Sequence, residues 1–230
     1  METQQHEGKS LPYIVVHPDG YQEGVRYPMI ILLHGYGANM ADLAGLAPAI
    51  HRTGYVYACP NAPVPVPIGA GVMGYGWGAI GEQRTPEEAQ RIDEMLLAFF
   101  DEVMEQYSVS PGRVALGGFS QGGGVTMRLG LPRPDTFAGL FALSSGVGDM
   151  DEIRDRLPEQ RTQPIFVAHG TEDPFLMDGR AQRSLALLEA EGYTPEHHEY
   201  VMAHEITPAV LADLTAWLQR VLPPLLLPSK

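Results

Sequence analysis

The chain has 230 residues, enough for one large α/β domain whose sheet is buried on both faces. Hydrophobic residues make up 44% and charged residues 19%, a globular balance that excludes wholesale disorder. Only 15 basic residues oppose 28 acidic ones, a formal net charge of −13, which leaves no basic patch for nucleic-acid phosphates and opposes an anionic membrane surface.

Cys59 is the single cysteine, so neither an intramolecular disulfide nor a thiolate metal site can be assembled, and a reducing compartment is expected. Residues 1–10 are polar and lack the apolar core of a secretory signal, which points to the cytoplasm. The apolar tail 222–227 is interrupted by Pro223 and Pro224 and falls far short of the roughly 20 residues that span a bilayer. No stable membrane association is expected.

In chain order, residues 13–16 read as a strand, and Met29-Ile30-Ile31-Leu32-Leu33 as another that ends at His34-Gly35. Residues 55–58 continue the series. The proline- and glycine-rich stretch 60–84 reads as irregular, either a binding loop or a surface loop without a role. Thr85 then caps a helix with Pro86 at its first position and Glu88 completing a capping box; Ile92, Leu96, Phe99 and Val103 share one face. Strands follow at 114–116, 140–143 and 165–168, with a helix over 125–129 after the first of them. A helix carrying Leu185 and Leu188 stops near Gly192, 196–201 reads as the last strand, and Thr207-Pro208 opens a helix that runs past Trp217. Continuous apolar runs alternating with helices predict a doubly wound, mostly parallel sheet with helices on both faces, as one domain over 1–230.

Gly118-Phe119-Ser120-Gln121-Gly122 fits G-x-S-x-G, with a strand before it and a helix after it, the setting of a nucleophile elbow. The competing reading is a glycine-rich helix start with an ordinary capping serine. In that architecture the acid and the histidine follow the serine in order. Asp173 lies in the loop after the strand 165–168; Asp149, Asp151 and Asp178 are its rivals, and an Asx turn before Pro174 is the bland alternative. His204 falls between the last strand and the last helix. His197 and His198 lie within a strand and read as structural or exposed, while His34 and His169 close strands and read as loop-bracing. A serine hydroxyl needs an imidazole to take its proton, and the imidazole needs a carboxylate to fix its tautomer. The intermediate needs two backbone donors: Gln121, directly after the nucleophile, and Tyr36 of His34-Gly35-Tyr36-Gly37.

Three other functions are weighed. A non-catalytic ligand-binding protein is disfavoured by the intact Ser120, Asp173 and His204. A metallohydrolase is disfavoured because Pro208 stands where H-E-x-x-H, begun at His204-Glu205, needs its second histidine. Ser120 at the elbow excludes a cysteine-nucleophile dienelactone hydrolase.

Leu33-His34-Gly35-Tyr36-Gly37-Ala38, Pro60-Asn61-Ala62-Pro63, Gly118-Phe119-Ser120-Gln121-Gly122-Gly123, His169-Gly170 with Asp173-Pro174, and His204-Glu205-Ile206 resemble, in order, the motifs of the phospholipase/carboxylesterase family of α/β hydrolases. That family includes bacterial carboxylesterases and acyl-protein thioesterases. The resemblance implies serine esterase activity on short- to medium-chain acyl esters, with thioesters and lysophospholipids among the family's substrates and no cofactor or metal. It also implies Tyr36 and Gln121 as oxyanion donors, Gly71, Met73 and Trp77 beside the acyl site, and the homodimers common in the family. Two positions depart from its pattern: Gly78-Ala79 replace an aromatic and an aspartate after the tryptophan, and Ala203 replaces a glycine before the histidine. Only a short segment separates the strands 140–143 and 165–168, so no large lid is expected, and with the negative charge this favours small neutral esters.

Overall fold

The computed structural model describes residues 1–79, 85–148, 150–175 and 179–226. The chain divides into two compact units, 1–110 together with the tail from Pro224, and 111–223.

In the first unit, strands β1 (Glu2–His6), β2 (Tyr13–His17), β3 (Met29–Leu33) and β4 (Val56–Pro60) lie in the order β1-β2-β4-β3. β3 and β4 pair in parallel, while β2 is antiparallel to both β4 and β1. Every residue of β2, β3 and β4 is buried, as their unbroken apolarity requires. Strand β1 escaped the sequence reading because Glu2-Thr3-Gln4-Gln5-His6 is polar and largely exposed. Backbone pairing to β2 creates it, and its polar surface suits an edge position. Two short helices, α1 (Met40–Ala44) and α2 (Ala47–Ile50), precede β4; neither is long enough to show a periodic signature.

The stretch expected to be irregular instead carries a hairpin of β5 (Val64–Gly69) and β6 (Val72–Gly76). Its turn, Ala70-Gly71, has positive φ at both residues, the backbone of a type I′ turn. Pro65 and Pro67 masked the strand in the sequence. They lie two residues apart, at positions of β5 where the ladder asks for no N–H. Helix α3 (Pro86–Gln106) begins as expected: Thr85 Oγ1 accepts the Glu88 N–H at 3.2 Å, and Ile92, Leu96, Phe99 and Val103 are buried. The Glu88 carboxylate accepts the Ala79 N–H at 3.2 Å.

In the second unit, β7 (Val114–Phe119), β8 (Phe137–Leu143), β9 (Ile165–Gly170) and β10 (Glu196–Tyr200) run in that order, all parallel. Helices α4 (Gln121–Gly130), α5 (Arg180–Ala190) and α6 (Pro208–Val221) alternate with them. Helix α4 packs on β7 and β8, and α6 on β8 and β9, where Trp217 meets Phe141 and Phe166. Strand β7 extends past the apolar run through Gly117-Gly118-Phe119. A β-carbon on Gly117 would stand 2.1 Å from the Phe141 ring, so packing, not strand propensity, selects glycine there. Helix α4 starts at Gln121, four residues before the expected 125; its glycine-rich first turn carries no helical signal in the sequence. Among the described residues, the helical elements between β8 and β9 are two single 3₁₀ turns, Met150–Glu152 and Arg154–Arg156, in a short segment, so no large lid is inserted. Among the described residues, no helix is long and apolar enough to cross a membrane.

Candidate active site

Ser120 stands at the junction of β7 and α4 with φ 53° and ψ −120°, a conformation that L-residues rarely adopt. Such strain costs on the order of 1–3 kcal/mol and persists only where the surroundings enforce it. Here the Ser120 N–H donates to Leu143 O at 2.9 Å, which ties the turn to β8. Gly123 lets α4 approach the end of that strand, since a β-carbon there would lie 2.5 Å from Cβ of Ser145. Ser120 occupies the N-cap position, yet its side chain makes no capping hydrogen bond. The ordinary capping-serine reading therefore fails, and the hydroxyl is used elsewhere.

It is used on His204. The Ser120 hydroxyl donates to Nε2 of His204 at 2.9 Å, and Nδ1–H of the same ring donates to Oδ2 of Asp173 at 2.7 Å. Asp173 is completely buried. Its other oxygen, Oδ1, accepts the Phe175 N–H at 2.9 Å. The Asx turn foreseen as the bland alternative is thus present, and it orients the carboxylate toward His204. The rings of Phe119 and Phe175 flank the imidazole, each 4.8 Å from it between centroids.

The loops bearing Asp173 and His204 converge because Gly170 has no side chain. A β-carbon there would sit 2.2 Å from Met202 O and 2.6 Å from Ala203 O. Thr171 and Glu172 then donate backbone N–H groups to Tyr200 O and Met202 O at 2.8 and 3.1 Å. Of the rival acids, Asp151 is exposed and ion-paired with Arg154; Asp149 and Asp178 lie outside the described residues.

The four histidines set aside as non-catalytic have structural partners. His169 Nε2–H donates to Ser145 O at 2.9 Å, and its Nδ1 accepts from His197 Nε2–H at 3.2 Å. Burial is the main cause that pushes both imidazoles below their ordinary value. His198 pairs with Glu196 and stacks on Phe166. His34 donates from Nδ1 to Gly35 O at 2.8 Å and accepts the Ala62 N–H on Nε2 at 3.0 Å; burial pushes its pKa down as well.

Of the other site residues expected from sequence, Gln121 is the first residue of α4. Tyr36 lies in the loop after β3 and is exposed. Gly71 sits at the hairpin tip and Met73 is exposed on β6. Trp77 is buried, with its indole N–H donating to His34 O at 2.8 Å. The sequence reading missed Phe175: no motif marks it, and only its contact with His204 reveals it. Among the described residues, no group of three or more His, Cys, Asp or Glu side chains is placed to hold a metal ion.

Strand-to-helix presentation of a serine, with an acid and a histidine in later loops, defines the serine hydrolases of α/β-hydrolase fold. The chain belongs to the phospholipase/carboxylesterase family, whose sequence profile matches residues 21–222. It is 31% identical to an acyl-protein thioesterase 1 of Emericella nidulans over 84% of this chain and 90% of that protein. The corresponding protein of Mycosarcoma maydis is 28% identical over 93% of this chain and 98% of its own length. Arabidopsis thaliana SOBER1 superposes with a TM-score of 0.73 at 25% identity, over 85% of this chain and 99% of that structure. The Bacillus cereus carboxylesterase, at 18% identity, shares the fold with a TM-score of 0.72 over 94% of this chain and 96% of its own. The chain is a carboxylic ester hydrolase of the serine esterase and thioesterase type.

Proposed function

We propose that the chain hydrolyses short- to medium-chain acyl esters, or acyl thioesters and lysophospholipids of similar size, through an acyl-enzyme on Ser120. The observation that carries this reading is the hydrogen-bonded series Asp173–His204–Ser120, with both links under 3 Å. His204 Nε2 takes the hydroxyl proton as Oγ attacks the acyl carbon. The carbonyl electrons move to oxygen, and the oxyanion so formed accepts hydrogen bonds from the N–H groups of Gln121 and Tyr36. The intermediate collapses, His204 gives the proton to the departing alcohol or thiol, and a water repeats the sequence to release the acid. Asp173 holds the imidazole with its proton on Nδ1 and stabilises the imidazolium without itself taking a proton.

Gly71, Met73 and Trp77 are assigned to the acyl side, as the family resemblance implies. The net charge of −13 favours small neutral substrates over anionic phospholipid surfaces and acyl-coenzyme A, which argues against stable membrane or nucleic-acid association. A single cysteine, buried and with its thiol pKa pushed up by burial, suits the cytoplasm. Homodimerisation follows from the resemblance alone and is read directly by light scattering.

Hydrolysis of p-nitrophenyl esters from acetate to palmitate by wild type and Ser120→Ala tests the reading. Turnover on the shorter esters that disappears in the variant is expected. A folded wild type inert on every ester would favour a narrow substrate or the non-catalytic ligand-binding reading.

A further inference from the structure

The proposed oxyanion donor Tyr36 sits on the peptide that joins it to Gly35. A trans peptide is planar, so whatever holds the Gly35 carbonyl also aims the Tyr36 N–H the opposite way. Gly35 O is held by two donors, Nδ1–H of His34 at 2.8 Å and the Ala38 N–H at 3.2 Å. His34 cannot turn or change tautomer freely, because its Nε2 must accept the Ala62 N–H.

The loop is gripped again on the hairpin side. Gly37 N–H donates to Tyr75 O and Tyr75 N–H to Ala38 O, both at 2.8 Å, an antiparallel bridge between β6 and the loop. Gly74 makes that approach feasible: a β-carbon there would lie 1.9 Å from Gly37 O, a backbone atom with nowhere to go. Gly37 itself has φ +81°, and a β-carbon on it would meet Ile68 of β5 at 3.1 Å.

We infer that hairpin β5–β6 and His34 together form a clamp that presets the Tyr36 peptide, so that Gly74, Tyr75 and His34 are positioning residues for the oxyanion. This rests on the proposed roles of Ser120 and Tyr36. It gives the hairpin a second task besides the acyl side: holding a catalytic donor in place before substrate arrives.

Two substitutions probe the clamp from β6, where Gly74 is buried and Tyr75 half-buried. Gly74→Ala forces β6 off the loop. Tyr75→Pro removes the N–H donated to Ala38 without costing a rung of the β5 ladder, because the backbone of Tyr75 faces the loop and not β5, and Tyr75→Ala is the control for the lost phenol. For each variant, kcat and KM on p-nitrophenyl butyrate are measured together with Ki for a trifluoromethyl ketone, which forms an anionic adduct with the serine. Expected is a loss of kcat of about 10²-fold, with KM changed only a few-fold and Ki weakened in parallel with kcat/KM. A merely structural hairpin would lower the melting temperature or shift KM and leave the ketone affinity of the folded fraction intact; that result overturns the proposal. Ser120→Ala, run alongside, separates the two readings. Turnover that survives it overturns the serine mechanism and the clamp with it. Turnover that it abolishes but that both hairpin variants retain overturns the clamp alone.

Discussion

His204 donates its Nδ1–H to Oδ2 of Asp173 at 2.7 Å, and the carboxylate that receives it is wholly buried. The other oxygen is already committed to the Phe175 N–H. Asp173→Asn keeps the shape and can keep the Phe175 bond, but it presents an amide that favours the wrong imidazole tautomer. A folded protein with kcat lower by about 10⁴ is expected. Near-normal kcat with an unchanged melting temperature would remove Asp173 from the mechanism.

Ser120 and His204 act as a unit, so their substitutions should not multiply. Ser120→Ala and His204→Ala are each expected to lower kcat by about 10⁶, and the double variant to be little worse than either. Steady-state rates on one activated ester decide it. Losses that multiply would mean that the two residues act independently.

Gly170 allows the Asp173 and His204 loops to meet, since a β-carbon there would press on Met202 O and Ala203 O. Gly170→Ala is expected to lower kcat at least tenfold by moving His204, with stability reduced by about 1–3 kcal/mol from overpacking. Urea unfolding and kcat on the folded protein measure the two effects separately. A variant with wild-type kcat would show that the loops converge without this gap.

His17, His34, His51, His169 and His197 are all held below the ordinary imidazole value of 6.5, chiefly by burial. The unfolded chain therefore binds protons more readily than the folded one. The stability this represents is complete above pH 6.5 and is lost as pH falls below it toward the folded values. The urea midpoint is expected to be lower at pH 5.5 than at pH 7.5. A midpoint that is unchanged or higher at pH 5.5 would mean that these imidazoles are protonated in the native state.

The sequence by itself determined the buried strands β2, β3, β4, β7, β8 and β9, because strands covered on both faces must be continuously apolar. It also determined the starts of α3 and α6, where Thr85 and Thr207 each cap with a proline following. Ser120, Asp173 and His204 were legible as candidates because chain order and loop placement restrict them. Only the tertiary structure decided what depends on through-space contact. Strand β1 exists by pairing to β2, since its side chains carry no apolar signal. The hairpin in 60–84 forms although its prolines read as breakers, because they fall where no N–H is required. Phe175 against His204, Gly170 beneath the His204 loop and Gly74 against Gly37 have no local signature. Each is fixed by a neighbour distant in sequence, and hydrophobic periodicity and turn chemistry record only what a residue needs from its own segment.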